Sequence, residues 1–370
     1  LRRLEQTSIL IPDGEEGFLA RVLDCLSREA NLEIHVLSQR TNQVHKHSRH
    51  IKSFTSCSPT LSDNELVGVI KKLCADKGID LLFPIHYRMM TFVLNHKQQL
   101  ASVVGLPLLP PLESLKTVTD KIKFSKHLNA EKISGPHAQV LTTPFDLGGL
   151  EIPFPILFKP HLEDESGAGR GIMLIENQEH LQSLTDGGED VPKTFLVQEY
   201  VEGVDVDCSV LCKDGEILQY TIQTGILPGR SKFSPYSGVR LITDDKALSA
   251  VRKLMRSLNW SGVAHIDLRF DKKQQEYKVI EVNGRYWASV LASLYGGVNF
   301  PYLSIRAALD KKIEEVNYSK NEYYNLEGVL KKVRKNPLAI FNVAMLWKAT
   351  PLKFVFYDPI PWIISLKRRF

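Results

Sequence analysis

The chain has 370 residues, 43% of them hydrophobic and 24% charged, enough to bury two or three cores and too apolar for a disordered segment or a stapled miniature. Its formal charge of +5 is uneven: residues 311–370 hold 12 Lys+Arg against 5 Asp+Glu, while the other 310 hold 35 against 37. A basic excess confined to one end argues against nucleic-acid binding by the main body; a solvated helical tail is the plainer reading, and contact with acidic lipid or a partner is left open.

No apolar run approaches the roughly 18 uncharged residues that span a bilayer, and Leu1 to Pro12 is too short and polar for a secretory signal. Neither insertion nor export is expected. The five cysteines (Cys25, Cys57, Cys74, Cys208, Cys212) are scattered, with no CxxC pair, so a reduced, cytoplasmic setting fits better than a disulfide framework or zinc site.

In chain order, Thr7 to Pro12 reads as a buried strand followed by the turn Asp13-Gly14. Phe18, Leu19, Val22, Leu23 and Leu26 then recur at helical spacing, and Glu33 to Leu37 resumes a strand. A helix over 63–77, a strand from Ile79 to Ile85 and a helix from Tyr87 to Gln98 extend this into a small parallel α/β unit. No GxGxxG follows the first strand, which removes the main support for dinucleotide binding. The tract His45, His47, His50 resembles a metal ligand set, but Lys46 and Arg49 between them oppose a cation.

Leu106-Pro-Leu-Leu-Pro-Pro111 marks a boundary. Beyond it come a helical stretch from Leu112 to about Glu131, strands joined by glycine-rich turns from Pro153 to Val201, and strands with one clear helix, 244–258, up to Asn283. Cys208 and Cys212 fall on one face of a strand as small buried hydrophobes. From Asp310 onward the chain reads as helical, interrupted by prolines.

Three segments carry chemistry. In Phe154-Pro-Ile-Leu-Phe-Lys-Pro160, Lys159 stands among hydrophobes, where an ammonium is costly unless an anion meets it. Ser166-Gly-Ala-Gly-Arg-Gly171 leaves backbone amides uncovered for phosphate oxygens. In Gly262 to Trp287, Asp267 on one strand, and Glu281 and Asn283 on one face of the next, offer carboxylate and amide oxygens suited to Mg²⁺. Arg285 follows in phase.

Together with Phe195-Leu-Val-Gln-Glu-Tyr-Val-Glu-Gly-Val-Asp205, these segments, in this order, resemble the ATP-grasp superfamily over roughly residues 110–305. The run Glu281 to Ser289 followed by Gly297-Val-Asn-Phe-Pro301 is most similar to the carboxylate-amine ligase branch related to carbamoyl-phosphate synthase large subunits. Members of that branch commonly have Pro at the position of Gly284 and Gly at that of Ala288. The resemblance implies an α/β fold (with an α+β core): a Rossmann-like pre-ATP-grasp domain over 1–108, a two-lobed ATP-grasp domain over 109–308 with a lid lobe at about 130–198, and a basic tail over 309–370.

It further implies that Lys121 and Lys159 bind phosphates and that Gly167, Gly169 and Gly171 form the lid loop. Gln198, Glu199 and Val201 become the adenine hinge, Asp205 the ribose contact with Asp207 as the alternative, and Asp267, Glu281 and Asn283 the ligands of one or two Mg²⁺ or Mn²⁺. Arg285, with Lys159, would assist transfer of a phosphoryl group from ATP to a small carboxylate. The acyl phosphate would then react with an amine, in an EC 6.3-type ligation releasing ADP and phosphate. An ATP-grasp phosphotransferase and a non-catalytic nucleotide-binding module are the alternatives. The implied partners are small molecules, with a homodimer left open. Arg230, Lys232 and Arg269 are candidate anchors for the substrate, and His265 lies at the edge of the site, where a structural role is the plainer one.

Overall fold

The computed structural model describes residues 6–142, 149–160, 171–186, 194–314 and 316–367. Strands β1 (Thr7–Ile11), β2 (Leu32–Ser38), β3 (Ser53–Ser56) and β4 (Leu81–Leu82) form a parallel sheet in the order β3-β2-β1-β4. The expected strand from Ile79 to Ile85 pairs only over two residues, and β3 was not expected at all, because its Ser-Phe-Thr-Ser sequence has one apolar residue. The expected helix over 63–77 is Asp63–Lys77, opened by a capping box between Ser62 and Glu65 and closed by Gly78 at φ 61°, the left-handed residue that ends many helices. The helix expected from Tyr87 to Gln98 divides into Tyr87–Asn95 and Lys97–Ala101.

The stretch expected as one helix up to Glu131 is two, Leu112–Thr119 and Lys121–Ala130. Asp120 separates them in extended backbone, and its carboxylate accepts from the Ile122 and Lys123 amides, each at 3.0 Å. This cap makes Lys121 the first residue of the second helix.

Strands β5 (Ala138–Thr142), β6 (Ile156–Pro160), β7 (Met173–Ile175) and β8 (Thr194–Glu199) form a small antiparallel sheet in the order β5-β8-β6-β7. A larger antiparallel sheet comprises β9 (Gly203–Lys213), β10 (Glu216–Leu227), β11 (Gly238–Ile242), β12 (Gly262–Asp271), β13 (Glu276–Asn283) and β14 (Glu322–Tyr324), ordered β13-β12-β9-β10-β11-β14. Asp214 and Gly215, with φ of 49° and 83°, give the β9–β10 hairpin the two left-handed residues its tight turn needs.

One face of the large sheet is apolar. Cys208, Val210, Ala264, Ile266 and Val279 pack there with Trp260 and the helix Asp245–Ser257, and Cys208 and Cys212 are fully buried, free thiols. A second core joins the parallel sheet to the helices Val290–Tyr295 and Phe300–Ala308 and includes Phe354. The segment after Asp310 therefore is not simply solvated: β14 is an edge strand paired with β11, and helices begin only at Leu326. The whole is the mixed α/β architecture expected, with a parallel N-terminal sheet, antiparallel sheets and a helical C-terminal segment.

Gly284 sits against Trp260, where an added Cβ would lie 2.6 and 2.7 Å from two indole carbons, and its N–H donates to the Tyr87 hydroxyl at 2.8 Å. A proline here would lose that hydrogen bond and meet the ring, which accounts for the glycine in this chain. Gly284→Ala is expected to lower stability by about 1–3 kcal/mol through overpacking, read as a shift of the urea midpoint. An unchanged midpoint would mean that the Trp260 side yields freely.

Candidate active site

The other face of the large sheet is polar. Residues directly opposite in an antiparallel ladder share a face, so the register of β9, β12 and β13 builds three rows: Ser209–His265–Asn283, Asp207–Asp267–Glu281 and Asp205–Arg269–Lys278. The phase of β13 depends on a bulge. Leu268 pairs with Val279 and Asp267 with Glu281, so Ile280 is the extra residue that brings Lys278 to the face of Glu281. Strict alternation puts Lys278 on the opposite face, which is why the sequence reading missed it. A lysine between Tyr277 and Val279 was nevertheless the same signal as Lys159.

The middle row sets three carboxylates side by side. Asp267 is held well above the usual carboxylate range, first by enclosure and then by the charges of Asp207 and Glu281. Asp207 is raised to about 7, first by burial and also by Asp205, against a hydrogen bond from Gln223 at 2.8 Å. His265 Nε2 lies 3.8 Å from Asp207 and 3.6 Å from Asp267. Burial and then Arg285 lower its pKa to about 3, so the ring is neutral. It stacks on Trp287 at 5.2 Å and shares a 2.9 Å hydrogen bond with Ser209, which gives it the structural anchoring expected, though at the centre of the site. Among the described residues, the one close cluster of potential metal-binding His, Cys, Asp or Glu side chains is Asp207, His265 and Asp267; the tract at His45, His47 and His50 forms none.

The small sheet faces these rows across a cleft lined by Lys121, Phe124, Lys159, Leu196, Gln198 and Glu281. Lys159 is 4% exposed and was expected without a partner, but its ammonium donates to Gln198 Oε1 at 2.5 Å. Burial lowers its pKa to about 8, with Lys121 acting in the same direction and Glu281 and Asp267 opposing. Gln198 is thus engaged through its side chain.

In the expected hinge, the Glu199 and Tyr200 amides donate to His137 O and Pro155 O. The Glu199 carboxylate pairs with Lys278, which also meets Asp271 at 3.3 Å. Arg269, considered above as a substrate anchor, instead braces this hinge: it donates to Val201 O at 2.6 Å, pairs with Asp205 and lies over the Tyr200 ring. Tyr236 also donates to Asp205, at 3.0 Å. Lys232 lies over Tyr200, and Arg230 pairs with Glu327.

Arg285 connects the two halves. It is 7% exposed and lies over the rings of Phe18 and Tyr87, at 4.7 and 5.5 Å. These rings border the crevice between β1 and β4, where the order of the parallel sheet reverses and open α/β sheets bind ligands. Asp13, unremarked in the sequence beyond its turn, ties that crevice together: fully buried, it accepts from the Ile85 and His86 amides at 2.9 and 2.8 Å.

The residues fit a hard divalent cation. Asp267 and Glu281 face each other as a cross-strand pair, and Asn283 Oδ1 beside them is buried with no hydrogen-bond partner among the described residues. Three oxygens of this kind suit Mg²⁺ or Mn²⁺. Gly171 is left-handed at φ 72° and packs on Pro160, whereas Gly167 and Gly169 lie outside the described residues.

Residues 191–328, from β8 through β14, match a family described as ATP-grasp in the biosynthetic pathway with Ter operon. The carbamoyl phosphate synthase large chain of Caldanaerobacter subterraneus subsp. tengcongensis is 27% identical over 222 residues, 56% of this chain and 20% of that one. The chain thus spans about a fifth of the length of this curated relative. In structure it is similar to N5-carboxyaminoimidazole synthetase from Staphylococcus aureus complexed with ADP (TM-score 0.69, 14% identity, 91% of this chain and 88% of that one). It is also similar to the L-amino acid ligase from Bacillus licheniformis (TM-score 0.59, 16% identity, 84% and 75%). The chain shares the fold of these solved structures, and its sequence is related to an ATP-grasp family over residues 191–328 and to carbamoyl phosphate synthase large chains.

The lowered pKa of Lys159 gives a pH test. Unfolded lysine titrates near 10.5 and the folded one near 8; between these values the unfolded chain holds more protons, so stability rises with pH. Lys159→Met is expected to be more stable than the parent below pH 8, by on the order of 2–3 kcal/mol. The gap should close as pH approaches 10.5. Urea unfolding at pH 7 and 9.5 reads the difference, and an equal gap at both pH values would assign the ammonium no desolvation cost.

Proposed function

We propose that this chain is an ATP-dependent ligase that activates a small carboxylate as an acyl phosphate and couples it to an amine. The observation that carries the reading is the meeting of opposite charges at one cleft: the oxygen row Asp207–Asp267–Glu281 with Asn283 on the large sheet, and Lys159 of the small sheet with Lys121 from a helix start lining the cleft beside Glu281. Neither side balances its own charge, and a magnesium nucleotide complements both. The names of the relatives, a carbamoyl phosphate synthase and two ligase-type enzymes, one of them solved with ADP, support nucleotide use and bond formation at a carboxyl group.

In this reading Glu199 and Val201 present the hinge to adenine, and Asp205 receives a ribose hydroxyl. Lys121 and Lys159 hold phosphate oxygens, with Gln198 orienting the Lys159 ammonium; Gly171 supplies a further backbone contact, while Gly167 and Gly169 lie outside the described residues. Asp267, Glu281 and Asn283 would hold Mg²⁺, which neutralises phosphate charge when bound. A carboxylate oxygen of the substrate attacks the γ-phosphorus, the bond to the β-phosphate oxygen breaks, and ADP departs. The amine then attacks the acyl carbon, phosphate leaves with the C–O bonding pair, and the amine gives up a proton. Arg285 steadies the charge on the transferring phosphoryl group, the step where positioning and electrostatics supply most of the catalysis. Its place over Phe18 and Tyr87 supports an acceptor site toward the β1–β4 crevice, with the N-terminal α/β domain on the acceptor side and the ATP-grasp domain on the nucleotide side.

The test is a panel of amino acids and small carboxylates with ATP, Mg²⁺ and hydroxylamine, in which the competent acid yields a hydroxamate and ADP without its natural amine. Glu281→Gln should reduce both products by about a hundredfold or more, with the urea midpoint retained. Formation of AMP would point to an adenylate and sink the mechanism. A stable phosphoester with ADP would favour the phosphotransferase, and nucleotide binding without turnover the non-catalytic module.

A further inference from the structure

Of thirteen exposed large hydrophobic side chains among the described residues, ten lie between Leu330 and Ile363. They include Leu338 (71% exposed), Phe341 (77%), Phe356 (70%), Tyr357, Trp362 and Ile363. A soluble surface scatters such residues singly; a contiguous group marks an interaction site. This group is displayed by a fixed support. Phe354 and Thr350 are buried, the Tyr295 hydroxyl donates to Thr350 O at 2.6 Å, the Ser48 hydroxyl donates to Asp358, and the helix Pro359–Lys367 lies beside the 3₁₀ turn Val44–His47. Trp347, Phe356 and Tyr357 form a cluster of edge-on rings outside that support.

The charge around the patch is one-sided. Residues 326–367 contain seven Lys+Arg and two acids, Asp358 and Glu327, the latter paired with Arg230 and Lys331, whereas the other 328 contain 40 Lys+Arg and 40 Asp+Glu. Asp358 is already engaged by Ser48, and Arg334, Lys335, Lys348 and Lys367 are exposed. Exposed Trp, Tyr, Phe and Ile interspersed along the segment with exposed Lys and Arg is the chemistry of a surface that lies in the headgroup region of an anionic bilayer. Among the described residues no helix is long and apolar enough to cross one. A second copy of the chain is the poorer occupant, because a two-fold contact would press the same basic surface against itself.

We propose that the segment 326–367 docks the protein peripherally on an anionic lipid surface, with Phe341, Phe356 and Trp362 entering the headgroup layer and Arg334, Lys335 and Lys348 meeting phosphate and carboxylate groups. The remainder carries no net charge and is not drawn to that surface, which orients the molecule. Substrate ligation does not enter this argument, so the two stand or fall separately.

The experiment is vesicle flotation of the full chain, with phosphatidylcholine alone or mixed with about one third phosphatidylserine. The expected result is binding to the mixed vesicles at least about tenfold stronger than to neutral ones, weakened at about 0.5 M salt by screening. Trp260 and Trp287 are already buried, so a blue shift of tryptophan emission on binding would report Trp347 and Trp362. Arg334→Glu with Lys335→Glu, and separately Phe341→Ser with Trp362→Ser, replace exposed side chains and should each lose most of the partitioning while keeping the urea midpoint. Equal binding of the unaltered chain to both vesicle types, or none to either, overturns the proposal. So does self-association, seen by light scattering, that Phe341→Ser abolishes, since that would give the face to a second copy.

Discussion

Three carboxylates placed side by side on one face of a sheet are the constraint around which the site is organised. Asp207, Asp267 and Glu281 occupy opposite positions on adjacent strands, and ionised neighbours in such a row repel while losing part of their hydration. Two of the three respond by holding their protons more tightly. Among the described residues the row is only partly offset from its own side: Lys278, a row away, is committed to Glu199 and Asp271, Arg269 to Asp205, and Arg285, just beyond β13, opposes the rise at Asp267 without cancelling it. The rest of the compensating charge must come from across the cleft or from solution, which is what the proposed binding of a cation and, through it, phosphate would supply.

The opposite wall carries the reverse difficulty. Lys159 is enclosed in the small sheet with an amide oxygen as its hydrogen-bond acceptor, so its charge is solvated by a dipole and only partly stabilised by the distant acids. An amide orients an ammonium without cancelling it. Had a carboxylate stood at position 198, the pair would have closed on itself, and an incoming anion would have had to displace it. The two walls are therefore each incomplete in a complementary sense, and the cost of keeping them so is met by the apolar core behind the large sheet, where Trp260, Ile266 and Val279 pack.

Small backbone devices set the geometry. Asp120 ends one helix and starts the next, placing Lys121 at a helix start, where its own N–H is spared an internal partner. The extra residue at Ile280 rotates the strand so that Lys278 joins Glu281 and Asn283. Gly284 lets the chain leave β13 against Trp260 and turn Arg285 toward the aromatic rings of the parallel sheet. Each is a local departure from regular structure, and each aims one cation.

The sequence by itself determined the element types over most of the chain and the donor chemistry. Helix and strand periods follow directly from side-chain pattern, and Asp267, Glu281, Asn283 and the two lysines are distinctive because charged or amide groups interrupt otherwise apolar strands. It could not determine what those groups touch. Whether Lys159 stood alone, whether Arg269 faced substrate or hinge, and whether Lys278 belonged to the site depended on partners 39, 64 and 79 residues away in the chain. Only the ladder register decides such pairings. The bulge at Ile280 shows why: side-chain phase along a strand has period two, so one extra residue sends everything beyond it to the other face, and where that residue falls is settled by the packing of both faces at once.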